Sequence, residues 1–348
     1  MEIGRLSRRQ VLLSLPALMM APRVFAQAGN PLIRVRGINH VTLSVSDVKR
    51  SVDFYQGLFG MPVTSRQGMT TNLRIGAGPQ FLGVSAAGSN PPSIDHLCLG
   101  VDNFNVDRIA SILERRGVTR SAAAENAGGA ALGGGPMRMR VRGPEIGGDR
   151  TGTAELYFSD PDGIVVQLQD PRYCGGGGTF GNVCSSPEPA PKKGLLAVRD
   201  WSHCTNFVSD AARSNAFYQE LFGLPVQAHQ GPTAPLLGVG GVQFLMFAGG
   251  GANATPRRAG INHLCMSMER FNPDTVIKAL ESYGIKPRAS AQGTPGPLVH
   301  YISMRMENRG GAKEGTPELY FTDPDGLLIQ LQDVKYCGGG GVLGDVCA

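Results

Sequence analysis

Four of the six histidines in this 348-residue chain recur in pairs, His40 with His203 at an interval of 163 residues and His96 with His263 at 167. A neutral imidazole is a metal ligand, and near pH 7 it can also take or give a proton, so paired histidines bear directly on chemistry. Only His229 and His300 stand outside the pairing. Other reactive types also recur. Cys98 matches Cys265, and Cys174 matches Cys337. MRMRVRG, from Met137, aligns with MRMENRG, from Met304, which matches Arg138 to Arg305. Such arginines either hold a carboxylate or enolate oxygen or are ordinary solvated strand residues. Glu155 and Glu318, in AELYF and PELYF, are shared acids.

These residues sit on a duplicated framework. INHVTLSVSDVKRSVDFYQGLFGMPV, from Ile38, returns as WSHCTNFVSDAARSNAFYQELFGLPV, from Trp201. One four-residue insertion, later reversed, accounts for both intervals. An apolar strand ends near Val45, Ser46 or Asp47 caps a helix, and Gly60 followed by Pro62 stops it. Gly223 and Pro225 repeat that stop. A second helix, about 106–116, ends at Gly117, with a counterpart at about 273–283. Short strands with Gly-rich turns follow each helix. Each module therefore contains two βαβββ units, and the fold class is α+β with mixed sheets.

Residues 1–26 read as an export leader. SRRQVLL, from Ser7, leads into an apolar run, 11–21, too short to span a bilayer, and Val24-Phe25-Ala26 supplies a cleavage site. Arg8 and Arg9 make it the twin-arginine type, a route that resembles one used for proteins exported folded, often with a cofactor loaded. The mature product is then periplasmic or extracellular. The net charge of +5 falls to +2 once Arg5, Arg8, Arg9 and Arg23 leave with Glu2. No basic stripe remains for nucleic acid or an anionic membrane, which leaves a small molecule as the expected partner. The expected divisions are 33–173 for the first module, 174–195 for a Cys/Gly/Pro-rich linker, 196–336 for the second module and 337–348 for a tail. CGGGGTFGNVC returns at the end as CGGGGVLGDVC, where it links nothing, so it is more than a spacer. In an oxidising compartment Cys174–Cys184 and Cys337–Cys347 are the expected disulfides, with pairing between the tails and a four-cysteine zinc site as alternatives.

The helix reading FYQGLFGMPV together with the hairpin YFSDPDGIVVQLQD resembles the vicinal oxygen chelate superfamily, which includes glyoxalase I, extradiol dioxygenases, fosfomycin resistance enzymes and bleomycin-binding proteins. Both motifs occur in both copies, and the resemblance covers nearly all of the mature chain. It implies two curled sheets, each around a cavity that can hold a divalent metal, with the modules pairing within one chain. The implied ligands are His40, His96 and Gln167 in the first module and His203, His263 and Gln330 in the second. A fourth position falls at Gln80 and Gln243 or a neighbour. Strand alternation puts Cys98 beside His96, Cys265 beside His263 and Thr42 beside His40. The two cysteines are buried apolar residues, thiolate ligands or cavity-lining thiols.

Glutamine stands where the family's metal enzymes usually carry glutamate. The amide removes one negative charge from the ligand set and cannot shuttle a proton, which disfavours a glyoxalase mechanism and departs from the two-His, one-carboxylate face of extradiol enzymes. Glu155 and Glu318 could supply the carboxylate only in a different strand register. The implied cofactor is iron, zinc, manganese or nickel. Two functions follow from the resemblance: Lewis-acid chemistry on a small oxygenated molecule, dioxygenase-like or lyase-like, or metal-free sequestration of a small molecule. A structural protein with the GGGG tails as docking elements is a third reading.

Overall fold

In the computed structural model the described residues are 31–121, 137–232, 234–250 and 258–347. The leader proposed for residues 1–26 lies outside them. Caps set the helices. Asp47 accepts a hydrogen bond from the Arg50 amide and starts α1 (Val48–Phe59), and Gly60, at φ 66°, closes it in the left-handed region that glycine tolerates. Asp210 and Gly223 do the same for α3 (Ala211–Phe222). Asn105 caps α2 (Val106–Arg115) and Asn272 caps α4 (Pro273–Ser282).

In the first module α1 and α2 join β1 (Val35–Val45), β2 (Val63–Gln67), β3 (Thr70–Arg74), β4 (Phe81–Ala86), β5 (Ser93–Val101), β6 (Met137–Arg142), β7 (Thr153–Ser159) and β8 (Val165–Gln169). The second module has β9 (Asp200–Phe207), β10 (Val226–His229), β11 (Pro235–Gly240), β12 (Gln243–Ala248), β13 (Gly260–Met268), a two-residue β14 (Lys286–Pro287), β15 (Val299–Arg305), β16 (Thr316–Thr322) and β17 (Leu328–Asp333). The strand orders are β2-β3-β4-β1-β5-β8-β7-β6 and β10-β11-β12-β9-β13-β17-β16-β15-β14. Each unit closes with a parallel pair, β1 with β4 and β5 with β8, and the two units join along the antiparallel seam of β1 and β5. The class is mixed α+β, as the repeat pattern predicts. Among the described residues no helix is long and apolar enough to cross a membrane.

One apolar core runs through both modules, because the first helix of each packs on the other's hairpin. Phe54 and Phe59 of α1 lie 6.4 and 6.1 Å from the Phe321 ring, and Phe217 and Phe222 of α3 lie 6.2 and 6.3 Å from Phe158. The DPDG turns are docking points. Tyr55 donates to Asp323 at 3.1 Å, Tyr218 donates to Asp160 at 3.3 Å, Arg50 pairs with Asp325 and Arg213 pairs with Asp162.

Burial pushes the Asp323 carboxyl up to about 6, with hydrogen bonds from the Leu327 and Asp325 amides and the Tyr55 hydroxyl working against it. The folded chain therefore holds this proton more tightly than the unfolded chain, whose aspartates titrate near 3.9. That contribution is fully present below about pH 3.9 and is lost as pH rises through about 6, a change on the order of 3 kcal/mol. Asp323→Asn keeps an acceptor for the two amides and removes the titration. Between about pH 4 and 7 the parent should lose about 3 kcal/mol relative to the variant in urea unfolding. Parallel curves would show that Asp323 does not titrate in this range.

Candidate metal centre

Each of the four paired histidines follows a residue that drops out of the strand ladder. Pairing of β1 with β5 passes from Ile38 opposite Leu99 to His40 opposite Cys98, skipping Asn39, and from Thr42 opposite His96 to Leu43 opposite Ile94, skipping Asp95. The seam of β9 and β13 skips Ser202 and Asn262 in the same way. A bulge breaks alternation and re-aims a side chain, so the residue before each histidine is turned toward it rather than away. Asn39 Oδ1 lies 2.8 Å from His40 Nδ1, Asp95 Oδ2 lies 2.7 Å from His96 Nδ1, and Asn262 Oδ1 lies 2.8 Å from His263 Nδ1. Ser202 Oγ is 3.1 Å from His203 Nδ1.

In the first module these contacts define the tautomers. Asn39 Nδ2 donates to the Tyr173 carbonyl at 2.8 Å, which leaves Oδ1 to accept from His40. Asp95 presents an acceptor-only carboxylate to His96. Both imidazoles therefore carry hydrogen on Nδ1 and present the Nε2 lone pair. Those lone pairs meet: His40 Nε2 is 3.3 Å from His96 Nε2 and 3.0 Å from Gln167 Oε1. The second module repeats the triangle, with His203 Nε2 3.3 Å from His263 Nε2 and 3.1 Å from Gln330 Oε1. Burial first, and then the neighbouring histidine, hold His40 and His203 well below the ordinary imidazole value, and burial lowers His263 to about 4.

Three electron-pair donors crowded together fit a shared cation. Two atoms each about 2.1 Å from one ion, at angles between octahedral and tetrahedral, lie roughly 3.0–3.4 Å apart. The residues present thus fit a divalent metal in donor type and spacing, with a neutral ligand set. Gln167 Nε2 and Gln330 Nε2 are buried with no hydrogen-bond partner among the described residues, so each amide presents its oxygen to the histidines and leaves a donor unused.

Phe81 stacks on His40 at 4.3 Å and Phe244 on His203 at 4.4 Å. These phenylalanines, not Gln80 and Gln243, share the histidine face. The two glutamines each lie one residue earlier, Gln80 just before β4 and Gln243 at the start of β12, and they line a separate cavity of about 550 Å³ at the junction of the modules, with Arg36, Arg199, Asp200 and Glu269. Cys98 lies opposite both His40 and Gln167. Burial and the nearby Glu155 push its thiol well up, so it stays neutral in the floor of the site, and Cys265 is likewise pushed up by burial.

The alignment of Arg138 with Arg305 is corrected by the ladders. Arg142 opposite Thr153 corresponds to Arg305 opposite Thr316, while Arg138 opposite Tyr157 corresponds to Tyr301 opposite Tyr320. The 163-residue interval is restored before β6, so the similar MRM runs are out of register. Arg305 is fully buried, donating to Glu318 at 2.7 Å and to the Gly310 and Gly339 carbonyls, so its guanidinium is held inside the fold by the sheet edge and the tail. Arg138 lies over the Tyr157 ring at 5.8 Å. Glu155 and Glu318 do not supply the missing carboxylate. Glu155 accepts from Arg142 at 2.8 Å, Tyr173 at 2.6 Å and Tyr157 at 3.1 Å, and Glu318 has the matching partners.

The glycine-rich tails close the concave faces. β2 and β6 are the edges of the first sheet. The segment after β8 reaches both: Ser65 donates to the Cys174 carbonyl at 2.8 Å, and Arg142 donates to the Gly176 carbonyl at 2.8 Å. Glycine is required here because a Cβ at Gly175, at φ 76°, would meet the Asn72 and Ser65 side chains. Residues 174–184 are thus a strap rather than a spacer. Cys174–Cys184 and Cys337–Cys347 are bonded, with Cα separations of 6.4 and 6.3 Å. Replacing Cys174 and Cys184 by serine should cost about 2–3 kcal/mol in urea unfolding under non-reducing conditions. An unchanged unfolding curve would mean that the strap is not coupled to the fold.

The chain belongs to the Glyoxalase/Bleomycin resistance protein/Dioxygenase superfamily, which residues 37–124 and 201–331 match. Among solved structures it is similar to the 2,3-dioxygenase LapB from Pseudomonas sp. KL28, at 16% identity and a TM-score of 0.55 over 86% of this chain and 92% of that one. A Mn(II)-bound glyoxalase from Novosphingobium aromaticivorans is also similar, at 16% and 0.55 over 86% and 82%. Homoprotocatechuate 2,3-dioxygenase from Brevibacterium fuscum, in complex with 3,4-dihydroxyphenylacetate, aligns at 18% and 0.58 over 89% and 84%. At these identities the likeness is one of fold. No curated protein matches the chain.

Proposed function

We propose that this is an exported protein that binds a divalent metal through His40, His96 and Gln167, and through His203, His263 and Gln330. Its chemistry would act on a small molecule that chelates through adjacent oxygens, catechol-like or hydroxy-carbonyl. The observation that carries this reading is the convergence of two imidazole Nε2 atoms and an amide oxygen at 3.0–3.3 Å in both modules. Export is supported by the two disulfides, which persist in oxidising compartments.

A bound divalent ion would supply Lewis-acid polarisation of the chelating oxygens. The chain's own part is definable. Asn39 and Asp95 fix the imidazoles of the first module, and Phe81 and Tyr173 pack around His40. The unused Gln167 Nε2 can donate to an oxygen of the bound molecule. Gln167 cannot take a proton, so a reaction that needs a returning base at this position is disfavoured.

The test is calorimetric titration with 3,4-dihydroxyphenylacetate, with and without a chelator. Binding that requires the metal supports the reading. Affinity unchanged by the chelator would instead define a metal-free binding protein.

A further inference from the structure

The two centres share their donor atoms and differ in what stands behind them. In the first module His96 donates to a carboxylate, Asp95, at 2.7 Å, and His40 donates to Asn39. In the second module the matching partners are neutral: Asn262 behind His263 at 2.8 Å and Ser202 beside His203 at 3.1 Å. The bulges that bring these residues to their histidines lie at equivalent places, so the fold is the same and only the chemistry of the bulged residue differs.

Resting on the metal reading above, we propose that the modules are unequal: the first is the tight divalent-cation site, and Asp95 is the positioning residue that makes it so. The ligand set is neutral in both modules, so no anion directly offsets the charge of the ion. A carboxylate that accepts the Nδ1 hydrogen of a ligating histidine makes that imidazole more electron-rich and fixes its orientation, an effect of about 10- to 100-fold in affinity. Asn262 orients His263 without adding charge. Ser202 presents a hydroxyl that either donates or accepts, so it defines the His203 tautomer less firmly than Asn39 defines that of His40.

The other charges near the centres do not reverse this order. The buried pair of Arg142 with Glu155 has its equal in Arg305 with Glu318. Arg140 reaches Glu155 only at 3.8 Å and is part-exposed.

The experiment is titration of the metal-stripped full chain with Zn²⁺ alone. Four variants accompany the parent: Asp95→Asn, Asn262→Asp, His40→Ala and His203→Ala. The parent should show two steps separated by about 10- to 100-fold, the tight one missing in His40→Ala and the weak one missing in His203→Ala. Asp95→Asn should bring the tight step down to the weak one, and Asn262→Asp should raise the weak step. A merely structural aspartate would not produce that gain. Two equal steps in the parent, or a tight step indifferent to Asp95→Asn, would overturn the inequality while leaving the metal reading intact. Zn²⁺ binding by none of the proteins would remove the metal reading and this inference with it. Unchanged thermal unfolding of metal-stripped Asp95→Asn shows that a lost step is not lost folding.

Discussion

Glu155→Ala is expected to destabilise the protein by about 3–5 kcal/mol, because it strands a fully buried guanidinium. Arg142 and Glu155 have no solvent exposure, and their 2.8 Å contact is extended by the Tyr173 and Tyr157 hydroxyls. Arg142 also donates to the Gly176 carbonyl, so the pair anchors the strap as well as the sheet edge. Replacing both partners by apolar residues, as in Arg142→Met with Glu155→Leu, should cost less than Glu155→Ala alone, since no charge is then left unpaired. Urea unfolding of the three proteins checks this. A cost below about 1 kcal/mol for Glu155→Ala would mean that the network opens to water and is not the anchor described here.

On the proposed metal reading, His40→Ala is expected to weaken divalent-metal binding in the first module by more than about 100-fold, since it would remove a direct ligand where the loss of a supporting group alone costs about 10- to 100-fold. The second module should keep its ion, because each triangle is built within one sheet. Equilibrium dialysis against Zn²⁺ should therefore fall by one equivalent, with His229→Ala, outside both centres, unchanged. Loss of both equivalents would point to one centre shared between modules. Loss of neither would place the ion elsewhere.

Much of this arrangement is readable in the sequence. The duplicated strand and helix, Asp47 and Gly60 as caps, and the return of His40 at His203 and His96 at His263 locate both modules. The resemblance adds Gln167 and Gln330 as the third donors, and the structure brings them to within 3.0 and 3.1 Å of the first-strand histidines. Local periodicity does not show the bulges. Alternation predicts that Asn39 and Asp95 face away from the residues they orient, and only the skipped pairings turn them. A signal was present all the same, since every paired histidine follows Asn, Asp or Ser: Asn39-His40, Asp95-His96, Ser202-His203 and Asn262-His263. Arg142 was hidden by a different cause. Two MRM runs match better by letter than by position, and the true partner of Arg305 is visible only in the ladder to Thr316. The terminal copy of the glycine-rich segment marks it as more than a spacer, but that the first copy straps both edges of its sheet is seen only in its contacts.

The central claim is that lone pairs converge on each centre because a divalent ion belongs there. Elemental mass spectrometry tests it most directly, on protein from its native host, purified without chelator or histidine tag, beside the double variant His40→Ala, His203→Ala. One to two equivalents of iron, zinc, manganese or nickel in the parent, and none in the double variant, is the predicted result. A parent without metal, or a double variant that keeps the parent's metal content, would contradict it.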